Sequence, residues 1–189
     1  MQNKLNFSPT TLDIACWLIE RNTSAGFKTS SLKLQFLLYI AQGQYLVENN
    51  GNKLMPANFI LTQFGPIEPN IYQIYKDNMF KFKGNKLSSN FDQFISLFWQ
   101  KNINNDEEGL LRIIKDNNGW KEIVLLNIFS EIPLNLIYKT FANTKQMENF
   151  NKINLSNSED INYSDKEYWT MDGKKGKRWI PGLSKKSED

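Results

Sequence analysis

Side chains able to do chemistry gather in three places along the chain. Asp106, Glu107 and Glu108 supply enough carboxylate for a cation or for acid–base work. They also follow Asn105 at the start of a helical pattern, where acids complement the positive end of the helix dipole, and that simpler role is the one expected. Glu159, Asp160 and Asp165 form a second acidic group, in a stretch too poor in apolar residues to preorganise a site. The third is basic: Gly173-Lys174-Lys175-Gly176-Lys177-Arg178 lies between Trp169 and Trp179. Lys174, Lys175, Lys177 and Arg178 suit a phosphate backbone, and the two indoles suit a stacked base. A solvated hairpin tip explains the same residues, so nucleic acid is the less favoured partner.

What is missing excludes more than what is present suggests. Histidine is absent and Cys16 is the single cysteine, which removes histidine acid–base chemistry, Ser-His-Asp and Cys-His systems, and zinc sites of the cysteine/histidine kind. Cys16 lies on an apolar helix face and reads as a small buried hydrophobe. There is no Gly-x-Gly-x-x-Gly and no Walker-type loop. Lys33 has no assignable partner group and fits an interface or internal contact better than catalysis. The expectation is therefore no catalytic residue, no metal and no cofactor. Basic and acidic residues number 23 and 20, a net charge of +3, which gives no global footprint for nucleic acid. No apolar run approaches the length of a membrane span and no leader-like segment is seen, so a cytoplasmic protein is expected.

The elements that position these residues are organised around 31–76. Leu34, Leu37, Leu38, Ala41 and Tyr45 recur at helical spacing and form one apolar stripe of a helix capped by Thr29 or Ser30 and running to about Glu48. Asn49 to Asn52 is a turn. Residues 53–63 read either as a helical turn or as a short β segment, with Pro56 and Pro66 against anything long. Gly65-Pro66 reads as a sharp turn, and Pro69 suits the first turn of a helix reaching Asn78.

Leu32-Lys33-Leu34-Gln35-Phe36-Leu37-Leu38-Tyr39-Ile40-Ala41-Gln42-Gly43, followed by Phe64-Gly65-Pro66-Ile67-Glu68-Pro69-Asn70-Ile71-Tyr72, resembles the Panacea antitoxin domain, also labelled SocA-like and GepA-like (phage-associated protein). The resemblance covers about 8–142 and is strongest over 31–76. Phe36 replaces a second lysine of the family pattern, and Phe64 and Ile67 replace tyrosine and valine. A Thr-His-x-x-Pro-Trp-like family stretch would fall on 129–134, where only Pro133 matches. The resemblance implies a non-enzymatic antitoxin that holds a toxin encoded by a neighbouring gene, some relatives acting as adaptors to a protease. It implies partner contacts among Lys33, Gln35, Phe36, Tyr39, Gln42, Phe64, Glu68 and Tyr72. It assigns the structural motif to Leu34, Leu37, Leu38, Gly65, Pro66, Ile67 and Pro69. A nucleic-acid-binding regulator and a phage-encoded inhibitor of a host protein are the alternatives.

Elsewhere, Ser8-Pro9 is expected to open the first helix. Phe91 to Trp99 and Leu110 to Ile114 mark two more, Asn118-Gly119 is expected to stop the latter, and Lys121 to Phe129 and Leu134 to Ala142 follow. The fold class is mainly α: one helical-bundle domain of six or seven helices over 1–143, with a short β segment near 53–63. A polar linker and a C-terminal β-hairpin-like appendage occupy 144–189.

Overall fold

Helix propensity alone would not hold Ser31–Glu48; burial does, because side chains from Lys33 through Gly43 are all inside the protein. A helix buried on every side is a central element, so the single stripe read from the sequence is too narrow a description. The computed structural model describes residues 8–76, 84–143, 145–147 and 150–151, and the strand residues 168–169 and 175–176. Their order is α1 (Thr11–Ser24), α2 (Ser31–Glu48), β1 (Ile60–Thr62), β2 (Gly65–Ile67), α3 (Pro69–Lys76), α4 (Ser89–Asn102), α5 (Glu107–Lys115), α6 (Asn118–Ile123) and α7 (Leu134–Phe141), then β3 (Tyr168–Trp169) and β4 (Lys175–Gly176). The fold is mainly α, as expected. A first compact unit spans Met1–Asn151, and β3 and β4 pair antiparallel within a second, Lys152–Asp189.

Around α2 pack α1, α3, α4, α5, α7 and β2. Gly43 lets α7 approach: a side-chain carbon there would lie 2.0 Å from the Phe141 ring. The Tyr39 ring meets Phe59 edge-on at 5.2 Å and Phe141 at 5.9 Å. Past α7, Phe150 stacks on Tyr138 at 4.1 Å, which extends the packed unit beyond residue 143.

Several local expectations change. The cap of α1 is Thr10, with Ser8 donating instead to the Leu54 carbonyl at 3.1 Å. Thr10 and Asp13 form a capping box: the Thr10 hydroxyl accepts from Asp13 N at 3.1 Å, and the Asp13 carboxylate accepts from Thr10 N at 3.0 Å. Ser30 caps α2 by accepting from Lys33 N. The short β segment is β1, and Gly65-Pro66-Ile67 is its partner strand β2, the turn lying at Gln63-Phe64. Pro66 is tolerated there because it stands in an edge strand. Asn118-Gly119 begins α6 and does not end α5. Gly119 is there because the α7 backbone passes against it: an added Cβ would sit 2.5 Å from Thr140 N. The helix expected over 121–129 stops at Ile123. The α3 end expected at Asn78 lies outside the described residues.

Replacing Gly119 by Ala must push α6 and α7 apart, and urea unfolding should show a loss of about 1–3 kcal/mol. Burial would raise the Asp13 carboxyl, but hydrogen bonds from Thr10 and from Asn85 outweigh it and hold the group below its ordinary value of 3.8. Its stabilisation is complete above that value and is lost as pH falls through the lower folded value. Unfolding midpoints across acidic pH should fall less steeply for Asp13→Asn than for the parent, with the variant the less stable of the two at neutral pH.

Candidate protein-binding surface

Six of the residues expected to contact a partner are inside. Gln42 pairs with the main chain of Met55 in both directions, its amide nitrogen donating to the carbonyl and its oxygen accepting from N, each at 3.2 Å. Gln35 accepts from Glu68 N at 2.7 Å. Glu68 in turn starts α3, accepting from Ile71 N at 2.7 Å and from the Asn70 side chain at 3.0 Å. Lys33 donates to the Ile103 carbonyl at 3.3 Å, with its ammonium 5.8 Å from the centre of the Phe27 ring. Phe36 and Tyr39 are buried core side chains. The Tyr39 hydroxyl makes no well-formed hydrogen bond although Thr140 stands beside it, and burial pushes its pKa well up. These six are buried and are bonded or packed within the protein. The reason is that α2 is buried all round, which favours internal partners for its polar side chains, although Gln35 Nε2 and the Tyr39 hydroxyl make no well-formed hydrogen bond. Of the others, Tyr72 is half-buried and Phe64 is 53% exposed. Leu34, Leu37, Leu38, Gly65, Pro66 and Ile67 are buried, while Pro69 is exposed at the head of α3.

Besides Phe27, Phe64 and Leu97, the exposed large apolar residues lie where the sequence suggested a helix. Val124 is 52% exposed, Leu125 83%, Ile128 55% and Phe129 75%. They belong to a segment that leaves α6 and, over 129–132, bonds to β1 around a single bridge, Ile60 with Glu131. Ile132 N donates to Phe59 O at 2.7 Å, and Leu61 N donates to Ser130 O at 2.9 Å. Phe129 N donates to Leu61 O at 2.7 Å, so Phe129 and Ser130 together oppose the single residue Leu61: a β-bulge. Ser130 N also donates to Asn127 O at 3.0 Å, closing a turn over 127–130. Phe129, third in that turn and first in the bulge, has φ +70°. Both positions favour glycine, and an aromatic residue there costs about 1–2 kcal/mol. The strand runs antiparallel to β1, so Ile128 and Phe129 lie at the same end of β1 as the turn that carries Phe64. The Thr62 hydroxyl fixes that turn, accepting from Phe64 N at 3.2 Å and donating to Gly65 O at 2.8 Å.

One signal for this surface was present in the sequence. Ile123, Val124, Leu125, Leu126, Ile128 and Phe129 are nearly consecutive, a density no half-buried helix face can absorb. The three-residue bulge geometry, by contrast, comes from pairing with β1, far away in the chain.

Reactive chemistry finds little support among these side chains. Burial, then the charges of Glu20 and Asp13, push the Cys16 thiol up, away from the thiolate a nucleophile requires. Asp106 caps α5 by accepting from Gly109 N at 2.8 Å, Glu108 pairs with Arg112 at 3.4 Å, and Glu107 accepts from Ser30. Among the described residues no three Asp, Glu or Cys side chains gather as metal ligands would, and no helix is long and apolar enough to cross a membrane. In the second unit the strand register sets Trp169 opposite Lys175. Lys174, Lys177, Arg178 and Trp179 lie outside the described residues.

Compared with known proteins, the chain is 32% identical over 77 residues to Antitoxin SocA of Caulobacter vibrioides (strain NA1000 / CB15N). The match takes in 39% of this chain and 40% of that protein, so the chain spans about two fifths of the curated relative it matches. This supports kinship with an antitoxin. No protein-family model matches the chain, and no solved structure matches it.

Phe129→Gly should raise stability by about 0.5–1 kcal/mol in urea unfolding, since it removes the left-handed strain and gives up little burial. A loss of stability of the size usual for large-to-small replacements would show that the ring is part of the core.

Proposed function

We propose that this protein is an antitoxin that neutralises a toxin encoded beside it by direct binding, and that it performs no reaction of its own. The observation that carries the reading is the set of exposed apolar residues Val124, Leu125, Ile128 and Phe129 leading into the segment tied to β1, with Phe64 exposed in the turn at the same end of β1 as Ile128 and Phe129. Large apolar residues left at the surface suit a protein contact. Likeness to an antitoxin favours a toxin as the partner, and the Panacea-like motif over 31–76 then serves as scaffold. Occlusion of the toxin suffices for neutralisation; delivery to a protease is the finer alternative. The reading places the protein in the cytoplasm, with its toxin.

A second reading takes support from the basic and aromatic residues of 169–179, two of which, Trp169 and Lys175, are register partners of one strand pair. Under it the second unit binds nucleic acid, and gel mobility shifts should weaken steeply with salt.

The first reading is tested by expressing the neighbouring gene's product with and without this chain. Growth should be arrested by that product alone and restored by co-expression, and the two should purify as a complex. Leu125→Asp, at an 83% exposed position, should leave the fold intact and weaken the complex at least about tenfold. A neighbouring product that is harmless alone and forms no complex ends the antitoxin reading.

A further inference from the structure

We propose that the partner adds an extended strand to the outer edge of the 129–132 segment, docking on the main chain of Glu131 and enclosing the Phe129 ring. The proposal rests on the protein-binding reading above and names the way in which that surface is read.

The hydrogen-bond pattern specifies the edge. Ile60 and Glu131 face each other as an antiparallel bridge. The bonds flanking them run from Ile132 N to Phe59 O and from Leu61 N to Ser130 O. This makes Ile60 and Glu131 a non-hydrogen-bonded pair, so the N–H and C=O of Glu131 both point away from β1. Glu131 is exposed, and no described residue takes either group. On the other side β1 is occupied by β2, with Ile60 opposite Ile67, so β1 itself has no free edge and an added strand beside Phe129 meets the outer edge of 129–132.

Glu131 and Pro133 keep that edge from pairing indiscriminately, because a carboxylate and a missing N–H are common means of blunting an exposed strand. The same features describe the occupant. Its strand is short, sets a lysine or arginine opposite Glu131, and brings apolar side chains or a pocket to Phe129. The Phe129 backbone fits such a role. A residue in the glycine position of a turn, with its ring 75% exposed, stabilises nothing in the free protein that would offset its strain.

The test uses the full chain with the neighbouring gene's product as probe. Glu131→Pro removes the outward N–H and no bond of the protein's own, whereas Glu131→Ala removes only the charge. Calorimetric titration should give at least about a tenfold loss of affinity for Glu131→Pro and about threefold or less for Glu131→Ala. Phe129→Gly should weaken binding about tenfold while its melting temperature stays level or rises. In the parent complex, exchange of the Glu131 amide hydrogen should slow against the free protein, a readout independent of how the variants fold. Equal affinities for the two Glu131 variants, or an amide that exchanges as fast in the complex as outside it, overturn the strand-addition proposal and leave the antitoxin reading standing. A dimer of the chain alone that Glu131→Pro dissolves assigns the edge to a second copy and overturns it too. No complex with the parent chain defeats the antitoxin reading and this one with it.

Discussion

Enclosing α2 on all sides presses the protein to answer the polar groups that the helix carries inward, and most but not all are answered: Gln35 Nε2 and the Tyr39 hydroxyl stay without a well-formed hydrogen bond. Gln42 is answered by both main-chain groups of Met55, Gln35 by Glu68 N, and Lys33 by the Ile103 carbonyl. Each of these bonds pins a connector and not another helix: the segment before β1, the junction from β2 to α3, and the loop between α4 and α5. An unmatched buried amide costs about 1–3 kcal/mol, so the connectors have little freedom to sit elsewhere. The central helix thereby sets where the hairpin of β1 and β2 lies.

That hairpin is the base on which the apolar surface stands. Residues 129–132 are tied to β1, β1 to β2, and β2 rests against α2. A contact surface built on such a chain of attachments is held in place before a partner arrives, which limits the entropy lost on binding. The side chain of Phe129 sits at the far end of this chain, with Leu125 in the turn that leads to it from α6. Their surroundings are a turn and a bulge, where side chains can point outward without breaking the core.

Phe129 is the point at which local preference and the fold disagree. Turn and bulge both favour glycine, and the chain has phenylalanine, exposed. Such disagreements cluster at functional positions because selection for binding can hold a residue that stability alone would remove. Lys33, Gln35, Phe36, Tyr39, Gln42 and Glu68 show the opposite: all are buried, and their internal bonds and packing agree with the fold.

Much of the helical architecture was legible in the residues themselves. The 3.6-residue spacing, the capping side chains and the placement of Pro69 mark α2, α3, α5 and α7, because these depend on neighbours within a few positions. The face each helix buries is settled by what packs against it, so a polar side chain such as Gln35 or Gln42 reads as a surface contact until the connector that covers it is in place. Gly119 reads as a helix stop until the α7 backbone is seen to pass beside it. In the same way 121–129 reads as a helix because its apolar residues carry no mark of β1, which lies some sixty residues earlier. Short-range spacing determined the elements; long-range pairing with β1 and closure around α2 decided which side chains face water, since burial is a property of the assembled neighbours and not of the residue.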